Sequence, residues 1–585
     1  MSSLIHALDN NIQQNIQLGE NGHSEHIWSF SESNIQEQIL QLYFQLVRTS
    51  QMDTLKQKFE DILKHFFSLE FNNLLQNKKQ NVFYMTIILQ LVCQTRDIVA
   101  GKGEYSLSYM LLFGLYNYYP DFALYALEKF VLFEDNKHPY GSWKDMKYIA
   151  HYCKSNCNNS TNHEIIRKCV QLINTQLVND DSCENDLDVS LCAKWAPREG
   201  SKMHGWFFKL LANDFFKDHD FMSKTNSLLK GQMKAHKKCY TKYRQMLAKL
   251  NKRIDTVQIK QCGNTWANID HNKTTSITLS RNKKAFLNIT KTSETRSLSL
   301  DRIVCAQNFT KYIESRIRSG KEVKGLRVGL NLFTRQALES ISNTTHADIS
   351  VEIDLLNSQW RSNSSQNSSL NKIIAMVDTS SSMYGEPLEV AIALGIRVAE
   401  KSLLGKRVLT FSTKPTWHSL EDDDDFVSMV KNLKDAEWHG STNFYLALQL
   451  ILDTMITNKI PPEDTEGMVF AIFSDMQINE ADRSFNNASM NQTIHAMYES
   501  SGYKCPHILF WNLRSTDGFP SLSSDKGVSM MSGFSPVLLN QFCEKGIEAL
   551  EQATPWNMMV ESFNHERYNY LNKCIVQYYD DLVAV

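Results

Sequence analysis

The chain's twelve cysteines include no CxxC pair, so the two matched pairs of a four-thiolate metal site are missing. The nearest pairs are Cys153/Cys157 and Cys183/Cys192. Thiols scattered in this way are expected to be reduced core fillers in a cytosol-like compartment. Core packing is also the expectation for Cys153, Cys157 and His163, whose spacing resembles a zinc knuckle. No run of eighteen apolar residues occurs, which argues against a membrane-spanning helix. Residues 1–25 are polar and rich in Asn and Gln, unlike a secretory leader, and predict a flexible arm over 1–26. No GxxxxGK[ST] phosphate loop is present. No strict internal repeat marks a regular solenoid. There is no excess of one charge either: 62 Lys and Arg face 64 Asp and Glu, a formal net of -2. Any nucleic-acid contact must therefore use a local patch.

What is present is the composition of a soluble globular protein, 42% hydrophobic and 22% charged. A length of 585 residues exceeds one compact core and implies several domains. Between residues 35 and 130, apolar residues recur three and four apart, with polar breaks between segments. That period predicts an all-α helical stack or bundle, and we assign residues 27–345 to it. Two of its helices flank Thr95-Arg96-Asp97 and Gly101-Lys102-Gly103-Glu104. A connecting loop is expected there, although a glycine-rich turn with free amides could also hold an anion.

Residues 198–260 carry fifteen Lys or Arg against five Asp or Glu. Lys234, Lys237, Lys238, Lys242, Arg244, Lys249, Lys252 and Arg253 interleave there with Tyr240 and Tyr243. A basic, partly helical surface of this kind suits a phosphate backbone, so RNA is a candidate partner. An ordinary solvated helix face would read the same way.

The polar stretch 361–371, RSNSSQNSSLN, predicts a surface loop near a domain boundary. From about residue 346 to 585 the pattern changes to apolar strands alternating with amphipathic helices, which predicts an α/β domain with a mostly parallel sheet. Its first strand, IIAMVD, ends in Asp378 and runs into Thr379-Ser380-Ser381-Ser382. This places a carboxylate and two hydroxyls at the carboxyl end of a buried strand, where open α/β sheets bind their ligands. Gly440-Ser441-Thr442-Asn443 precedes a helix, and Phe473-Ser474-Asp475 ends another apolar strand. Oxygen donors alone suit a hard divalent cation such as Mg²⁺ or Mn²⁺.

The order Asp-x-Ser-x-Ser, then Thr, then Asp resembles the metal-ion-dependent adhesion site of von Willebrand factor type A (vWA) domains, which are Rossmann-like. The resemblance implies that Ser380, Ser382 and Thr442 contact the metal, while Asp378 and Asp475 act mainly through waters. It implies a protein partner that supplies an acidic ligand. The segments 95–104, 194–202, 377–387, 410–412, 438–444, 472–476, 510–514 and 527–535 also resemble DUF2828, a family of giant-virus and plant proteins of unknown function. That resemblance implies action in a host cytoplasm or packaging in a virion. A helical region followed by a type A domain further resembles the ring-shaped Ro/TROVE RNA-binding proteins. Two carboxylates at a metal would also suit a phosphohydrolase, with His418 or His439 near the site. Type A domains generally bind instead of catalysing, so a non-catalytic module is expected.

Overall fold

The computed structural model describes residues 16–19, 22, 24–29, 34–49, 51–73, 78–133, 137–217, 221, 228–292, 294–342, 349–434, 438, 440, 442–477, 490–543 and 546–584. Helices occupy most of the chain between Ile35 and Ser364, and a six-stranded sheet with flanking helices follows. Among the described residues, no helix is long and apolar enough to cross a membrane.

The arm expected over 1–26 is structured in part. β1 (Ile16–Leu18) pairs antiparallel with β2 (Ser24–His26), and His26 exchanges two backbone hydrogen bonds of 2.9 Å with Phe519. The Gln17 side chain donates to Glu25 at 2.8 Å. The hairpin is therefore stitched to the sheet region by backbone pairing, which its polar composition did not signal. Residues 1–15 lie outside the described residues.

The sheet comprises β3 (Ile373–Asp378), β4 (Arg407–Phe411), β5 (Thr416–Ser419), β6 (Val469–Ser474), β7 (His507–Asn512) and β8 (Val528–Ser532). Their spatial order is β5-β4-β3-β6-β7-β8. All neighbours run parallel except β5, which hairpins back antiparallel on β4. The sequence pattern had located the other five strands but missed β5, a short edge strand whose Trp417 remains exposed. Counted from β3, chain order moves outward in one direction to β4 and β5, then in the other through β6 to β8. The chain thus switches direction between β3 and β6, and that crevice is where such sheets place ligands.

Alternation along the strands divides the core. Ile374, Met376, Leu409, Phe411, Phe470 and Ile472 face one apolar cluster that continues into the N-terminal helices. Ile373, Ala375, Val377, Val408, Ala471 and Phe473 face a second cluster beneath the Glu386–Lys401 helix. Gly395 lets that helix close on β3, since a Cβ there would come within 2.5 Å of Val377 Cγ2.

The helical and sheet regions expected as separate domains at 346 share a core. The C-terminal Asn569–Ala584 helix packs against Lys78–Arg96, and Ile35–Gln45 packs against β8. The Ile349–Ser364 helix bridges them: Leu355 joins the cluster of Leu279, Phe309 and Ile313, while Trp360 stacks on Phe426 at 3.9 Å. Residues 361–364, expected in a surface loop, belong to this helix. Asn363 and Asn367 are buried, and their side-chain oxygens accept from the Arg397 guanidinium at 3.0 and 2.7 Å. An amide oxygen accepts where an apolar side chain cannot, so these polar residues give both terminal nitrogens of a buried cation a partner.

The loop after Arg96 spends its amides and its lysine on internal hydrogen bonds. The Lys102 and Glu104 amides donate to Gln94 and Thr95 carbonyls at 3.0 and 2.8 Å. Lys102 Nζ donates to the Tyr43 carbonyl and Ser532 Oγ, each at 2.6 Å. Arg96 and Asp97 form buried ion pairs with Asp145 and Arg567 at 2.7 and 3.0 Å. This loop fastens the helices to the end of the sheet.

Candidate metal centre

β3 ends on Asp378, which is fully buried. The chain then turns sharply, because the Ser380 amide donates to Asp378 Oδ1 at 2.9 Å. The other carboxylate oxygen accepts from Ser474 Oγ at 2.6 Å, and Ser474 Oγ accepts from the Met476 amide at 3.0 Å. The Ser380 and Ser382 hydroxyls lie 3.1 Å apart.

The third element is clasped to this turn. The Ser381 amide donates to the Gly440 carbonyl at 3.2 Å, and the Gly440 amide donates to Ser381 Oγ at 3.1 Å. The Asn443 amide donates to the Ser412 carbonyl at 2.8 Å, just beyond β4. Thr442 is buried between these anchors. Gly440 has φ +104°, and a Cβ there would meet Thr413 Oγ1 at 2.1 Å, so glycine is required. Beyond β6, Asp475 is followed by Met476 at φ +63°, a left-handed turn imposed on a non-glycine residue. Parallel pairing of β3 with β6 aligns Val377 with Phe473 and so brings Asp378 beside Ser474. The structure thus brings the loops of Asp378, Ser380, Ser382, Thr442 and Asp475 to one crevice. His439 and Ser441 lie outside the described residues.

The electrostatics are unbalanced. Burial and then the neighbouring Asp475 carboxylate push Asp378 up to about 7. Burial also raises Asp475, against the opposing pull of the Ser382 hydroxyl and Arg514. Asp475 Oδ1 accepts from the Gln477 amide at 3.3 Å, but among the described residues buried Oδ2 has no hydrogen-bond partner. Arg514 Nη1 is 3.8 Å from it, on a side chain half open to solvent, and donates to the Ser382 carbonyl at 2.5 Å. Two buried carboxylates with an orphan oxygen are costly without a further cation. The donor set consists of carboxylates and hydroxyls, which fits a hard divalent ion. Next to Met476 and Gln477 a cleft of about 620 Å³ opens, lined also by Arg48, Gln51, Arg514 and Asp517.

Ser474 and Arg514 were not among the residues expected at the site. The signal for both was positional, since each lies at or just beyond the carboxyl end of a strand in the central part of the sheet. His418 lies on edge strand β5, buried, with Nε2 3.1 Å from Thr410 Oγ1. Burial lowers its pKa, and two strand positions separate it from β3.

Cys153, Cys157 and His163 come together, with ligating atoms within 4.8 Å of one another. His163 Nδ1, however, accepts the Ile165 amide at 3.2 Å as a helix cap. The ring's proton is then on Nε2, so neither nitrogen offers a free lone pair in this arrangement.

The basic helix spans Leu228–Ile254. Arg244, Lys249 and Arg253 pair with Glu199, Asp181 and Asp186 at 2.7, 2.6 and 2.6 Å. Lys234, Lys237, Lys238, Lys242 and Lys252 are exposed. Tyr243 is fully buried and donates to Asn174 at 3.1 Å, while Tyr240 packs on Phe208, so these rings serve the core.

Two family models match the chain, both described only as domains of unknown function: DUF2828 over residues 170–295 and DUF7788 over residues 372–574. The first covers the basic helix, and the second begins one residue before β3 and takes in every residue of the crevice. The sheet motifs therefore fall under a model other than DUF2828. An uncharacterised protein of Acanthamoeba polyphaga mimivirus is 29% identical over 492 residues, covering 81% of this chain and 78% of the relative. These matches link the chain to the DUF2828 family and to a giant-virus protein whose name states no activity.

Proposed function

We propose that the chain is a non-catalytic, metal-dependent interaction protein, with a von Willebrand factor type A-like sheet carried on a helical scaffold. Ser380, Ser382 and Thr442 would hold Mg²⁺ or Mn²⁺, with Asp378 and Asp475 supporting it. The single observation that carries this reading is the buried Asp475 Oδ2, which has no hydrogen-bond partner among the described residues, beside a second buried carboxylate. The switch-point position between β3 and β6 supports it. The ion would supply positive charge and one open position for an external oxygen ligand. An acidic side chain of a partner suits that position, and Arg514 at the mouth of the adjoining cleft would face it. Titration calorimetry with Mg²⁺ and Mn²⁺ tests the reading. Binding is expected in the wild type and its loss in Asp378→Ala; absence of divalent-ion binding by the wild type rejects it.

A further inference from the structure

Within the basic run Arg244, Lys249 and Arg253 are paired with carboxylates and Tyr243 is buried, whereas a second cationic face keeps its aromatic rings at or near the surface. The Trp143–Asn156 helix carries Lys144, Lys147, Tyr148, His151 and Lys154 at spacings of three and four, and hence along one face. Lys144 Nζ lies 4.8 Å from the Tyr105 ring centre and 5.3 Å from that of Tyr148. Lys147 Nζ lies 5.2 Å from the Trp195 ring and 5.7 Å from Tyr148, and Lys194 sits 5.5 Å from Trp195. Farther along, Lys154 covers Trp206 at 4.8 Å. Arg281 and Arg198 add charge at the edges: Lys144 feels the Asp145 carboxylate and, against it, Arg281, and Lys147 feels Arg198.

Among the described residues, no carboxylate forms an ion pair with Lys144, Lys147, Lys194, Arg198 or Arg281. The nearby acids are engaged elsewhere, Asp145 with Arg96 and Glu199 with Arg244. Partial burial, and then repulsion from Lys144 and Arg198, lower the pKa of Lys147. The rings are half-buried or exposed, Tyr105 the most at 38%. Two openings flank the patch. Tyr105 and Arg281 line a cleft of about 420 Å³ shared with Arg327 and Arg335, and Arg198 lines another of about 600 Å³.

We infer that this face binds a single strand of nucleic acid, with Lys144, Lys147, Lys194, Arg198 and Arg281 on the phosphates and Tyr105, Tyr148 and Trp195 beside the bases. Alternation of cations with aromatic rings is what separates a base-stacking platform from a purely ionic surface. From Lys144 to Lys154 the helix rises roughly 15 Å, room for about four stacked nucleotides at ~3.4 Å each. The inference uses none of the carboxylates of the metal centre.

The experiment is fluorescence anisotropy of a labelled 12-nucleotide RNA and its DNA counterpart with the full chain in EDTA, which keeps divalent ions out of the metal centre. Five phosphate contacts predict a salt slope of about -3.5, or about a hundredfold loss of affinity from 50 to 200 mM salt. Lys144→Glu/Lys147→Glu/Arg281→Glu should lower affinity at least tenfold and flatten the slope by about 2. Lys234→Glu/Lys237→Glu/Lys238→Glu, on the exposed side of the basic helix, should leave both nearly unchanged. Trp195→Leu should weaken binding about tenfold, by loss of stacking. Circular dichroism melts confirm that each variant is folded. Tight binding of either strand with this pattern supports the assignment. It is overturned if neither strand binds, if reversal on the basic helix removes binding while reversal of the patch does not, or if polyglutamate binds as tightly and Trp195→Leu is silent.

Discussion

Two places in this molecule gather like charges with little counter-charge beside them, and they do so in opposite ways. At the β3/β6 crevice, Asp378 and Asp475 are buried, and one oxygen has no hydrogen-bond partner among the described residues. On the Trp143–Asn156 helix, lysines stand half-buried against aromatic rings that are themselves partly exposed. A buried pair of carboxylates can be relieved only by something small, or by taking up a proton. A line of lysines some 15 Å long can be relieved only by something extended and negative. The degree of burial, more than the sign of the charge, sets the class of ligand each would take.

The largest effect should come from the ion. At a Mg²⁺ concentration one hundred times its dissociation constant, the folded state should gain about 2.7 kcal/mol. Asp378→Ala should abolish that gain, read as the shift in apparent thermal midpoint on adding the ion. A shift that persists in the variant would place the ion elsewhere.

Next in size is the contrast in salt dependence. Raising KCl from 50 to 200 mM should cost about a hundredfold in oligonucleotide affinity at the lysine face. Mg²⁺ affinity, measured by calorimetry over the same range, should change less than tenfold, because buried charges are little screened. Equal slopes at the two places would erase the distinction drawn between them.

Without metal the carboxylates should make stability fall as pH rises. The folded-state pKa of Asp378, about 7, lies above the unfolded carboxyl value of ~3.9. The folded state therefore holds more protons between these limits. Its stabilising contribution is fully present below the lower value and lost as pH rises through about 7. The metal-free wild type should accordingly lose thermal stability from pH 4 to 7 relative to Asp378→Asn, and saturating Mg²⁺ should flatten the difference above pH 7. Melts in EDTA and in Mg²⁺ across this range check it.

The smallest effect belongs to one lysine. Burial, with Lys144 and Arg198 beside it, brings Lys147 down to about 8, and His204 and His151 lie along the same face. Oligonucleotide affinity should decline a few-fold between pH 7 and 9 as Lys147 sheds its proton. Lys147→Arg should remove that decline, since an arginine stays charged throughout. Anisotropy titrations at the two pH values give the answer.

Much of the sheet and its crevice could be read along the chain. Ile373–Asp378 and Val469–Ser474 are continuous apolar runs that end in acidic or hydroxyl residues. A buried parallel strand must be apolar on both faces, so its limits are written locally. The helical periods of Ile35–Gln45 and Lys78–Arg96 are equally local. Edge strand β5 was harder to read, because a strand of four residues with one exposed face carries almost no period.

Partnership could not be read in this way. Arg244, Lys249 and Arg253 look like a nucleic-acid surface until Glu199, Asp181 and Asp186 arrive from other segments to pair with them. Asn363 and Asn367 look like loop residues until Arg397 is placed between them. The cationic face draws on positions 144, 147, 194, 198 and 281, too dispersed to form a run. By itself the sequence determined where most strands and helices run and which oxygen donors end β3 and β6, because period and burial act between neighbours in the chain. Only the tertiary structure decided which charges are neutralised and which remain, because a charge is answered through space by whatever residue the fold sets beside it.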